Sequence, residues 1–179
     1  MRIAPAVVLA VVGLLANGCS SNDAVAEITA PSTESTPFRD PQGEYSLDIG
    51  STWDENSGQI GADVETWMVA PAEDGFAPNV NALTQQTPTG MDTADYLEAS
   101  IEGMGTFEVL DSDLLGNDLG LIEYRGNLGD LAGNKPLHFL AIFSAADGRA
   151  VVLTFTSTEE RFNELRSTIE PFLRTLKLL

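Results

Sequence analysis

Apolar and polar positions between Leu137 and Thr156 fall into two β-rich runs, LHFLAIFSAA and RAVVLTFT, either side of Asp147-Gly148. Asp-Gly between apolar runs signals a tight hairpin, because the favoured two-residue turn needs positive φ at its centre. With that pair at the tip, Ala146 faces Arg149, Ser144 faces Val151, Ile142 faces Leu153 and Leu140 faces Phe155. The other face carries Phe143 with Val152, Ala141 with Thr154 and Phe139 with Thr156. Both faces are mostly apolar, whereas a strand with one wet face alternates. The hairpin therefore belongs at the centre of a sheet covered on both sides.

Upstream, Tyr45, Leu47 and Ile49 alternate with polar residues as a half-buried strand, ended by Gly50 and followed by Trp53 in a turn. Val64 to Val69 reads as a second strand closed by Pro71, and Asn79 to Gln86 as a third between Pro78 and Pro88. Asp92 is a good N-cap for a helix with a stripe of Ala94, Leu97, Ile101 and Met104, stopped by Gly103 and Gly105. Phe107 to Leu114 and Leu119 to Leu128 make a second hairpin about Gly116-Asn117-Asp118. After the central hairpin, Ser157 and Glu160 read as a capping box. A helical stripe of Phe162, Leu165, Ile169, Phe172 and Leu176 follows, with a kink or restart expected at Pro171. The order of elements predicts an α+β domain: an α-β-α sandwich with a mainly antiparallel sheet of about seven strands and two main helices.

The N-terminus changes the picture from a plain domain to an exported one. Met1 to Gly18 reads as a signal peptide, with Arg2 as its positive region and Ile3 to Ala16 free of charge. That run is shorter than the roughly 20 apolar residues a spanning helix needs. Leu15-Ala16-Asn17-Gly18-Cys19 resembles a bacterial lipoprotein signal, in which the Cys takes a diacylglycerol and becomes N-terminal. Ala16 stands where that signal usually has Leu. An ordinary signal peptide cut at the same bond would leave a free thiol. Lipidation of Cys19 is the favoured reading, since a lone Cys in an exported chain otherwise has no partner. Residues 19–37 then form a Ser-, Thr- and Pro-rich disordered tether, ~25 Å from end to end as a flexible coil. The folded domain occupies 38–179.

Charge narrows the partners. The chain carries 27 acidic against 9 basic residues, net −18, which repels phosphate backbones and argues against nucleic acid. From Asp40 to Asp130 Arg125 is the lone basic residue. Attachment to a membrane must therefore come from the lipid anchor, not from attraction to anionic headgroups.

Catalytic and metal signatures are absent. His138, the single His, is read as structural, at a strand end opposite Ser157. No Gly-x-Ser-x-Gly is present, and the single Cys lies at the signal junction. Asp111-Ser112-Asp113-Leu114-Leu115-Gly116 begins like a calcium loop, but Leu115 and Ile122 stand at ligand positions and strands flank the segment, so it reads as a hairpin turn. Glu159 and Glu160 suit a helix start, and no Gly-rich phosphate loop exists. No cofactor and no metal is expected.

Trp53, Gly75-Phe76-Ala77-Pro78-Asn79-Val80-Asn81 and Val152-Leu153-Thr154-Phe155-Thr156, together with the export signal and tether, resemble the LpqN/LpqT-type lipoproteins of actinobacteria. That family is similar in fold to photosystem PsbP proteins and a Ran-binding nuclear transport factor. The resemblance implies a non-catalytic accessory factor on the outer face of the cell membrane, contacting an envelope protein or lipid. It brings no catalytic residues. Trp67, in a strand, is expected in the core. Trp53 and Phe76, in expected loops with partial exposure, and Asn79 and Asn81, on one strand face, are the candidate binding residues. The competing reading is an envelope hydrolase or transferase with a site that carries no recognisable motif.

Overall fold

The computed structural model describes residues 34–55, 64–116 and 118–179. The expected signal peptide, Cys19 and the tether before Glu34 lie outside them, as does Asn117. The first strand begins earlier than expected. Ser35, Thr36 and Pro37, assigned above to the tether, open β1 (Ser35–Arg39), which pairs antiparallel with β2 (Tyr45–Gly50). β3 (Asp54–Glu55), β4 (Val64–Met68) and β5 (Asn79–Gln86) follow. Then come α1 (Thr93–Gly103), β6 (Glu108–Leu115), β7 (Leu119–Asn127), β8 (Pro136–Ala146), β9 (Arg149–Thr158), α2 (Glu159–Leu173) and β10 (Lys177–Leu178).

The sheet has seven strands in the order β3-β4-β5-β9-β8-β7-β6, every pairing antiparallel, with the β8–β9 hairpin at its centre. Its register is the one the Asp-Gly turn dictates, from Ala146 opposite Arg149 to Leu137 opposite Thr158. Asp147 and Gly148 both adopt positive φ, 53° and 80°. Membership differs from the expectation in one respect: β2 lies not in this sheet but in a small second one, ordered β1-β2-β10. Strand alternation reveals which residues turn inward, not which sheet they join, and the two-residue β3 fills the seventh place.

Residues of alternate parity feed two cores. One contains Val80, Leu140, Ile142, Leu153 and Phe155 beneath α2 and the small sheet, with Tyr45, Leu47, Phe162 and Ile169. The other contains Ile122, Tyr124, Phe139, Phe143 and Val152 beneath α1, with Tyr96 and Met104. The layers are thus α1, sheet, then α2 with the small sheet: an α-β-α sandwich.

Three local expectations need correction. In α1 the Asp92 cap is real, its carboxylate accepting from Asp95 N at 2.9 Å. The stripe holds at Met104, which is buried, and Leu97, which packs half-buried on the core, but Ala94 and Ile101 are exposed and the fully buried helix positions are Thr93, Tyr96 and Ser100. Two polar groups of that face find local use: Thr93 Oγ1 accepts from Ala145 N at 3.0 Å, and Tyr96 donates to Gln85 at 2.9 Å, whereas Ser100 Oγ has no hydrogen-bond partner among the described residues. Ser157 does not cap α2. It is buried in β9, and the N-cap is Thr158, without a side-chain bond. Pro171 causes no restart, because α2 ends two residues later and little helix remains to disrupt. Among the described residues, no helix is long and apolar enough to cross a membrane.

Candidate functional site

Trp53 and Phe76 are not partly exposed. Both are interior, 8% and 2% accessible, and Trp67 is fully buried. Gly50 permits the first placement, since a Cβ there would stand 2.3 Å from Trp53 Nε1. The indole meets Phe172 edge-on at 5.3 Å and approaches Trp67 at 6.4 Å. Phe76 closes a tight loop by exchanging two backbone hydrogen bonds with Glu73, both 3.0 Å, which turns its ring inward. The two rings belong to different cores, Trp53 under α2 and Phe76 under α1. They cannot share one binding face. Aromatic rings in Pro- and Gly-bounded loops gave no signal that the loops fold over the sheet.

Asn79 and Asn81 do share a face, and with Thr66, Thr154 and Thr156 they form a polar row across β4, β5 and β9. All five are at most 3% accessible. Asn79 donates to Ala77 O at 3.0 Å. Thr66 Oγ1, Asn79 Oδ1, Asn81 Nδ2 and Thr156 Oγ1 have no hydrogen-bond partner among the described residues. Each such orphan costs about 1–3 kcal/mol. None of these residues lines any of the three principal cavities.

His138 sits in an ionic chain that no local pattern disclosed. Its Nε2 lies 2.8 Å from Glu123 Oε1, and the other Glu123 oxygen accepts from Arg166. Arg166 Nε donates to Glu170 at 2.9 Å, and Glu170 also accepts from Arg174 at 2.8 Å. Burial pushes the Glu170 carboxyl up, but hydrogen bonds from Arg166 and Arg174 outweigh it and hold the group below its usual value. Ser157 stands opposite His138 in the register, so serine, histidine and carboxylate occur together. The arrangement is not a catalytic triad. Ser157 Oγ makes no bond to the ring, and Phe162 lies flat over the imidazole at 3.6 Å. No principal cavity reaches His138.

Asp111 and Asp113 lie within β6, whose turn starts only at Gly116, so the calcium-like segment is extended strand. Among the described residues, no three His, Cys, Asp or Glu side chains converge to hold a metal.

Among the described residues, a concavity of about 990 Å³ opens at the hairpin end of the sheet. Four separate segments build it: the start of α1, the β6–β7 turn, the end of β8 and the tail from Arg174 to Leu178. Leu114, Leu115, Leu119, Leu176 and Leu178 give it an apolar lining, with Asp92, Asp118, Arg174 and Lys177 as its charged members. Its volume is at the upper end for small-molecule sites. Away from the groove, burial raises Tyr45, Tyr96 (to about 12) and Tyr124, a hydrogen bond to Glu108 raises Arg125, and against the opposing effect of burial the carboxylate–guanidinium bonds raise Arg166 and lower Glu170. The groove itself combines five leucines with two acidic and two basic side chains.

No family model and no curated protein matches the sequence. Solved structures do match in fold. Cyanobacterial PsbP (CyanoP) from Synechocystis sp. PCC 6803 gives a TM-score of 0.55 at 12% identity, over 91% of this chain and 99% of that one. The Saccharomyces cerevisiae Ran-binding protein Mog1p gives 0.58 at 8% identity, over 82% and 96%. LpqN, involved in cell envelope biogenesis of Mycobacterium tuberculosis, gives 0.54 at 13% identity, over 81% and 90%. The chain has the PsbP-like fold.

Proposed function

We propose that this chain is an exported lipoprotein of the LpqN/LpqT type, anchored through an acylated Cys19 on the extracytoplasmic face of the cell membrane, where its domain binds an envelope component and catalyses nothing. The observation that carries the binding role is the leucine-lined groove at the hairpin end, with Lys177 among its charged members. An acyl chain matches the leucines of that lining, and of its charged members Lys177 suits an anionic head, whereas Asp92 and Asp118 disfavour one placed beside them. The fold likeness to LpqN supports an envelope setting, since that protein is described as involved in envelope biogenesis. His138 supports the non-catalytic reading, being locked between Glu123 and Phe162.

Native mass spectrometry of protein released from its own membranes tests this. The expected result is a retained lipid, lost in Lys177→Glu and Leu114→Asp, both changes at exposed side chains. Bare protein from every preparation, or turnover of an envelope substrate that His138→Ala abolishes, would overturn it.

A further inference from the structure

A second surface, distinct in chemistry from the groove, runs along the sheet edge at β6. β6 is the terminal strand of the seven-stranded sheet and pairs only with β7. Its register shifts between Val109 and Asp111, and from Asp111 to Leu115 the pairing is regular. Along that stretch alternate backbone N–H and C=O groups point away from β7 with no ladder partner. Six of the eight β6 side chains are exposed. Leu110 and Leu114 are 40% and 51% accessible, and Ile101 on neighbouring α1 is 36% accessible. At the opposite sheet edge, the described part of β3 is two residues, Asp54–Glu55.

Edges of this kind are usually blunted by Pro, Lys or a bulge. β6 has the bulge but neither residue, and its charges, Glu108, Asp111 and Asp113, are all acidic. α1, which packs over β6, β7 and β8, adds exposed Asp95, Glu98 and Glu102. The neighbouring cation, Arg125, is held by Glu108 at 2.9 Å and Glu159 at 3.2 Å. Two copies pairing edge to edge would set carboxylates against carboxylates, which is unfavourable. A basic strand would set opposite charges together instead.

The register gives the occupant two faces. Asp111 and Asp113 stand opposite Glu123 and Leu121, on the α2 side of the sheet. Ser112 and Leu114 stand opposite Ile122 and Gly120, on the α1 side. We propose that the β6 edge receives an extended segment of a partner protein as an added strand, with Lys or Arg on the Asp111/Asp113 face and apolar residues on the Leu114 face. Main-chain hydrogen bonds would supply adhesion and the alternating side chains specificity. Leu114 also lines the groove, so the test rests on Asp111 and Asp113, which do not line it.

The probe is a synthetic peptide of alternating lysine and valine, as long as β6, added to the full chain. Binding should slow hydrogen exchange at β6 amides that point away from β7. Asp111→Lys with Asp113→Lys should weaken it by about tenfold or more, while accepting a glutamate–valine peptide instead. Lipid retention should not change in that variant. Peptide bound with no protection of β6 amides would overturn the proposal, since charge alone would then explain it. So would a dimer of the chain protecting those amides without peptide.

Discussion

The imidazole of His138 lies parallel to the ring of Phe162, 3.6 Å between centroids and 1° between planes, while Glu123 holds its Nε2 at 2.8 Å. A residue placed by its sequence at a strand end is thereby fixed inside the α2-side core. His138→Ala removes the stack and strips Glu123 of one of two partners. A hydrogen bond to a charged group contributes about 1.5–3 kcal/mol and the ring stack adds to it, so with Arg166 still on Glu123 the expected loss is about 2–3 kcal/mol. Urea unfolding measures it. A midpoint equal to the wild type would show that neither contact contributes.

Phe143 and Phe155 are fully buried on opposite faces of the central hairpin. Truncating either to Ala should cost about 3–5 kcal/mol. Since they pack in different cores, the double variant should lose the sum of the two within about 0.5 kcal/mol. Strong coupling would mean that the sheet does not separate the cores.

How far the sequence reaches is visible in these elements. The hairpin register was legible because Asp147-Gly148 fixes it and a one-residue slip would turn both apolar sets over. The α2 stripe was legible for the same periodic reason. The α1 face was not, because its inward groups are Thr93, Tyr96 and Ser100, polar side chains of which Thr93 and Tyr96 bond across to neighbouring strands. Trp53 and Phe76 were misplaced because loop composition says nothing about where a loop folds back. The Glu123–His138–Arg166 chain joins residues on β7, β8 and α2, and the groove joins four distant segments. Pairings of that range follow from topology, which no local pattern encodes.

Gly120 is held against Phe143, where a Cβ would lie 2.4 Å from the ring. Gly120→Ala should therefore destabilise by about 1–3 kcal/mol through overpacking. Phe143→Leu in the same chain should return part of that loss, measured as a negative coupling in a double-mutant cycle. Additive effects would place the strain elsewhere.

Glu170 provides a test of pH dependence. Burial raises its carboxyl, but Arg166 and Arg174 lower it further, leaving the folded-state value below the ordinary 4.5. A depressed carboxyl contributes stability that is fully present above the unfolded value and lost as pH falls through the folded one. Glu170→Gln should thus be less stable than the wild type at neutral pH. The gap should narrow from about pH 4.5 downward, followed by thermal melts across an acid series. A gap independent of pH would assign the effect to packing.

The anchor is the prediction on which the cellular setting turns. Cys19 is the lone Cys of the chain, preceded by Leu15-Ala16-Asn17-Gly18 and followed by a tether without apolar clusters. With 27 acidic residues against 9 basic, the net charge opposes attraction to anionic headgroups, and the proposed attachment is through covalent lipid. One acyl chain holds a protein only marginally and reversibly, whereas two or more chains hold it stably. Full-length protein should therefore partition into detergent, with the mass of a multiply acylated N-terminal Cys19. Cys19→Ala should leave the precursor uncut or release the domain into the aqueous phase, with folding unchanged, because the described strands begin only at Ser35. Wild-type protein that is wholly aqueous and bears an unmodified Cys19 thiol would remove the lipoprotein assignment. The groove and the β6 edge would remain as properties of the domain itself.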